Sequence, residues 1–118
     1  MKKGYYLSSC STCKRIIKEL NLPDSFDLQD IKFEKITPNQ LEEMYKLAKS
    51  YGALFNKRAR NYKVLGLANK NLTEADYKSL ILKDYTFLKR PVFIVDGEIF
   101  IGNTKAVVEA LKYKLSTL

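Results

Sequence analysis

The chain contains no histidine, and that absence removes several chemistries at once. A cysteine nucleophile has no imidazole base to pair with, histidine acid–base catalysis is impossible, and the usual zinc ligand sets cannot be completed within one chain. Long apolar runs are missing too. Gly4–Leu7 falls short of the roughly seven to fifteen apolar residues that a secretory signal needs, and no later segment approaches the length of a membrane span. The expected location is therefore the cytoplasm, with no membrane partner. Internal repeats, low-complexity tracts and linkers are absent from the pattern. Cysteine itself is scarce: Cys10 and Cys13 are the only two in 118 residues. Cytoplasmic disulfides are seldom structural, so a pair this close reads as catalytic, redox-sensing or metal-binding. A dimer sharing four thiolates is the route left open to zinc.

What is present fits one domain spanning residues 1–118. The chain is 46% hydrophobic and 29% charged, the balance of a globular domain with a single core. Lys+Arg outnumber Asp+Glu by 21 to 13, for a formal charge of +8, which favours anionic partners such as oxyanions, phosphates, nucleic acid or an acidic protein surface. The stretch Lys57-Arg58-Ala59-Arg60-Asn61-Tyr62-Lys63 is basic but belongs to no recognisable groove-reading module. A solvated face, or a rim attracting an anionic substrate, explains it, and direct nucleic-acid binding is not expected.

Gly4-Tyr5-Tyr6-Leu7 reads as a short strand ending at a Ser/Cys/Thr cluster. A helix follows with Ile16, Ile17 and Leu20 on one face, closed by Asn21 and Pro23. Phe26–Ile31 reads as a second strand. Thr37-Pro38-Asn39-Gln40 combines an N-cap, proline at the first helical position and a capping-box glutamine. The helix it announces carries Leu41, Met44, Tyr45, Ala48 and Tyr51 and is expected to stop at Gly52. A short helical piece over Tyr62, Leu65 and Leu67 and a helix capped at Thr73 come next. Pro91–Val95, Asp96-Gly97 and Glu98–Ile101 read as a hairpin with a type I′ turn. Val107, Val108, Leu111 and Leu115 make a last amphipathic helix from Thr104. The order predicts an α/β, thioredoxin-like domain: a four-stranded mixed sheet flanked by helices, with a helical insertion at about 38–86 between strand 2 and the C-terminal hairpin.

On this plan the cysteine pair lies at a strand-to-helix turn. A thiol attacks as thiolate, and Cys10, at or just before the N-cap, would be favoured as an anion by the helix N-terminus with Lys14 and Arg15 nearby. The first-turn amides, at Ser11 and Thr12, could hold a tetrahedral oxyanion against it, with Lys14 adding charge. Cys13 shares a side with Ile16, Ile17 and Leu20, so it should be the more buried thiol. That suits it to displace an adduct from Cys10 and leave a Cys10–Cys13 disulfide.

These residues resemble the ArsC family, which includes arsenate reductases and the transcription regulator Spx. The resemblance spans nearly the whole chain. It is carried by Cys10–Arg15, Phe26–Lys32, Leu54-Phe55-Asn56 with Tyr62–Leu67, and Leu88-Lys89-Arg90-Pro91 ahead of the hairpin. It implies that Cys10 is the nucleophile and that Arg90 binds the oxyanion just before a cis-proline, Pro91. The planar guanidinium fork matches a tetrahedral oxyanion. In the glutathione-dependent reductases of the family a His-Asn-Pro element precedes the nucleophile, and two further arginines hold the anion. Here Tyr6 stands for the histidine, Ser8 for the proline and Asn56 for one arginine, with Arg58 or Arg60 placed to compensate. The implied activity is a thiol-dependent reductase acting on an arsenate-like oxyanion or oxidised sulfur. It needs no bound cofactor and no metal, and thioredoxin, or glutaredoxin and glutathione, restores the dithiol. The alternative is a Spx-like redox-sensing regulator binding RNA polymerase.

Overall fold

A computed structural model describes residues 2–118. The chain divides into two compact units, one made of the residues up to Lys35 with Arg90–Leu118, the other of Ile36–Lys89. The elements of the first are β1 (Lys2–Tyr6), α1 (Ser11–Leu20), β2 (Asp27–Asp30), β3 (Val92–Val95), β4 (Glu98–Ile101) and α5 (Lys105–Ser116). The second contributes α2 (Pro38–Ala48), α3 (Arg60–Val64) and α4 (Glu74–Lys83). Among the described residues no helix is long and apolar enough to cross a membrane.

In the first unit the strand order is β2-β1-β3-β4. β1 runs parallel to β2 and antiparallel to β3, which pairs antiparallel with β4. The sheet is thus mixed and four-stranded, as expected. β3 is buried along its whole length. Phe93 and Val95 join Phe26, Phe100 and Leu111 in a core over which Ile17 and Leu20 of α1 and Val107 and Leu115 of α5 pack. This contact draws the Cys-bearing helix onto the sheet. Gly4 lies opposite both Leu28 and Phe93. A Cβ there would come within 2.7 Å of each of those side chains, so no larger residue fits between its neighbours. Asp96 and Gly97 both take positive φ, 46° and 87°, as a type I′ hairpin turn requires.

β1 starts earlier than the sequence pattern suggests, at Lys2 rather than Gly4. Its lysines are accommodated because Lys3 Nζ reaches Asp27 at 2.8 Å and Lys2 Nζ reaches Asp96 at 3.7 Å. It also ends at Tyr6, because the Leu7 carbonyl turns to accept from the Cys10 amide at 2.9 Å.

In the second unit both capping boxes form, Thr37 with Gln40 and Thr73 with Asp76. α2, however, stops at Ala48 instead of running through Tyr51 to Gly52. Lys49 adopts the left-handed region at φ 63°. The Tyr51 and Gly52 amides then donate to the two oxygens of Glu74, at 2.6 and 3.0 Å. Tyr51 keeps its place beside α2 by stacking on Tyr45, ring centroids 4.3 Å apart. Gly52–Leu54 forms a 3-10 turn, and the bridge Phe55↔Leu88 ties the residue after it to the end of this unit.

Candidate active site

The turn after β1 delivers Cys10 to the N-cap of α1, with φ −96° and ψ 111°. Its carbonyl accepts the first helical hydrogen bond, from the Lys14 amide at 3.2 Å. Its side chain is half-buried and closes no capping hydrogen bond. No capping oxygen therefore takes the first-turn amides, which are left to the Cys10 sulfur and to an anion beside it. Cys13, the third residue of the helix, is fully buried with Ile16 on the core side. Both thiols are free.

The two sulfurs are electrostatically unequal. Partial burial pushes the Cys10 thiol up, but the Cys13 amide and thiol, the Arg90 charge and the Thr12 amide outweigh it, and the net direction is down. Cys13 is pushed up to about 11, chiefly by burial. A hydrogen bond to Cys10 and the Cys10 charge raise it further, against the Leu7 amide and Arg90. Of the two, Cys10 is the thiol its surroundings favour as an anion, and Cys13 is the one that holds its proton.

Arg90 belongs to the first unit, immediately before β3, and its charge favours the thiolate at both sulfurs. The Arg90–Pro91 bond is cis, and Pro91 is buried with its carbonyl accepting from Gly102 N at 2.9 Å. Arg90 takes the part that spacing suggested for Lys14 and Arg15. Lys14 is exposed on α1, and Arg15 turns to Glu19 at 3.7 Å. Ser11 is exposed and Thr12 half-buried in the first turn.

Asn56 and Arg58 lie in the second unit. The Asn56 amide is engaged at both ends: Nδ2 donates to Thr86 O at 3.2 Å and Oδ1 accepts from Arg58 N at 3.1 Å. It builds the turn that presents an exposed Arg58. Two contributors lay outside the sequence reading. The Leu7 amide acts on Cys13, and being backbone it carries no side-chain signal. Asp30 receives the Ser8 amide at 3.3 Å; a carboxylate ending a strand parallel to β1 was the available clue. Among the described residues no group of three or more potential metal ligands is assembled.

An open mixed sheet, a thiol pair at the start of the helix after its first strand and a cis-proline opening β3 define a thioredoxin-like protein of the thiol-bearing kind. The chain belongs to the ArsC family, whose model matches residues 5–111. Among solved structures it is similar to an ArsC family related protein from Bacteroides fragilis, at 24% identity and TM-score 0.76 over 93% of this chain and 97% of that one. It is also similar to an arsenate reductase from Vibrio cholerae, at 15% identity and TM-score 0.75 over 94% and 95%. The protein SACOL0876 from Staphylococcus aureus matches at 25% identity and TM-score 0.71 over 93% and 97%. A search of curated proteins finds no match.

Proposed function

We propose that this chain is a thiol-dependent reductase in which Cys10 attacks and Cys13 resolves. The observation that carries it is the inequality of the two thiols, one lowered and one raised, beside a shared arginine. With an arsenate-like substrate, the Cys10 thiolate displaces an oxygen from the pentavalent centre, and that oxygen leaves as water after protonation. Cys13 then attacks the Cys10 sulfur; the Cys10–As bond breaks, its electron pair stays on arsenic as arsenite, and a Cys10–Cys13 disulfide remains. With a disulfide substrate the first leaving group is a thiolate; Cys13 then attacks the Cys10 sulfur, the mixed S–S bond breaks and the second substrate thiolate leaves. Arg90 and the first-turn amides of Ser11 and Thr12 hold the negative charge, with Lys14 at the rim. Electrons enter from an external dithiol, thioredoxin or glutaredoxin with glutathione, so no bound cofactor takes part.

The test couples the protein to NADPH oxidation through each recycling system, with arsenate and with small disulfides. Turnover lost in Cys10→Ser, with a trapped mixed disulfide in Cys13→Ser, is the expected result. Rates equal to the Cys10→Ser control on every substrate would overturn the enzymatic function.

Arg58 favours a second function, a redox-responsive regulator contacting RNA polymerase. It is exposed on a turn fixed by Asn56, as a contact residue would be. Retention of polymerase subunits in one redox state only, without turnover, would select it.

A further inference from the structure

We infer that Asp30 is a positioning residue for Cys10, acting through a single peptide plane. The inference rests on Cys10 being the reacting thiol. Asp30 ends β2 opposite Tyr6, the last residue of β1. Its Oδ1 accepts from Ser8 N at 3.3 Å and from Lys32 N at 3.2 Å, and the Ser8 hydroxyl is a further donor to the carboxylate. The Ser8 N–H and the Leu7 C=O belong to the same peptide group. That Leu7 oxygen accepts from the Cys10 amide at 2.9 Å. The plane is thus held at both ends: the carboxylate holds its N–H and Cys10 holds its oxygen. A peptide polarised by a carboxylate on its N–H side is also a better acceptor on its C=O side. The link therefore fixes and strengthens the bond that sets Cys10 over the helix N-terminus.

The turn it controls runs Leu7-Ser8-Ser9-Cys10. Neither Ser8 nor Ser9 has positive φ, which leaves a type I-like turn, the kind that accepts proline at its second position. Ser8 occupies that position and lacks proline's fixed φ. In this chain a carboxylate from the neighbouring strand supplies the rigidity instead. Lys32 is the charged neighbour of Asp30 and Arg90 that of Cys10. Asp30 thus works through the backbone and not by its charge at sulfur, where a negative group would oppose a thiolate.

The test measures Cys10 alkylation by iodoacetamide against pH, together with hydrogen exchange of the Cys10 amide, in four proteins. These are the wild type, Asp30→Asn, Asp30→Ala, and Asp30→Ala combined with Ser8→Pro. Asp30→Ala is expected to slow alkylation at pH 7 about three- to tenfold, with the pH midpoint moving up, and to speed exchange at Cys10. Asp30→Asn keeps an acceptor oxygen without the charge and should fall between wild type and Asp30→Ala. Ser8→Pro should restore the Ala variant by fixing the turn without an N–H donor. If Asp30→Ala does not fold, Asp30→Glu is read the same way, since it keeps the charge but misplaces the oxygens. Unchanged alkylation and exchange in a folded Ala or Glu variant, or no rescue by proline, would overturn the role of Asp30. A slow thiol in the wild type would instead overturn the reductase function, leaving Cys10 exchange to decide on Asp30.

Discussion

In the proposed reaction Arg90 is the residue on which thiol activation and anion binding meet. Its charge lowers both sulfurs, and its fork suits an oxyanion. The two contributions separate by substitution. Arg90→Gln should slow Cys10 alkylation at pH 7 a few-fold and lower kcat/KM for an oxyanion by about a hundredfold or more. Arg90→Lys should recover most of the alkylation rate but little of the oxyanion activity, because it restores a charge without the bidentate fork. Equal recovery of both would mean that the guanidinium geometry is irrelevant. Lys14 and Arg15 looked equally suitable in sequence, since both follow the motif directly. Helix geometry accounts for the difference: their side chains leave α1 on its exposed face, whereas Arg90 comes from the segment just before β3, eighty residues after Cys10 in sequence.

Helix starts were the most legible elements, and α1 is the exception among them. Thr37, Thr73 and Thr104 all cap their helices through the side chain, whereas α1 opens on a cysteine that closes no such bond. Its N-terminus is left under-capped where a substrate anion would sit. Cys10→Ser should raise stability by about 0.5–1 kcal/mol while abolishing thiol chemistry, a trade of stability for function. Urea unfolding of both reduced proteins measures it, and a less stable serine variant would contradict the idea. The end of α2 shows why helix stops read less well than starts. Its apolar spacing continues to Tyr51, but Glu74, distant in sequence, takes the Tyr51 and Gly52 amides and ends the helix early. The same limit hid the turn-building role of Asn56, whose partners Thr86 and Phe87 are thirty residues on.

At the scale of the whole molecule, the sheet and its insertion were readable because their signals are local. They are alternation in the hairpin, Asp-Gly at its turn and capping boxes in the inserted segment. The convergence of Arg90 on the cysteine turn came only with the resemblance, and the strand order only with the structure. Burial of Cys13 also ties global stability to pH. Its pKa is raised from an ordinary value near 9 to about 11, so the folded state prefers the protonated thiol. That stabilisation is fully present below pH 9 and is lost as pH rises through about 11. It is on the order of 2 kcal/mol. Denaturant unfolding between pH 8 and 11 should show a steeper alkaline loss for the wild type than for Cys13→Ala, and parallel curves would exclude the linkage.

In the proposed reaction the hydrogen bond between the thiols also favours one order of events. While Cys10 is a thiolate, its charge and its hydrogen bond keep the proton on Cys13. Once Cys10 is tied up in a neutral mixed disulfide, both influences disappear; burial still raises Cys13, but it is then opposed by Arg90 and the Leu7 amide alone. In the proposed reaction the second nucleophile is thus held back further while the first is unspent, so the pair carries its own clock.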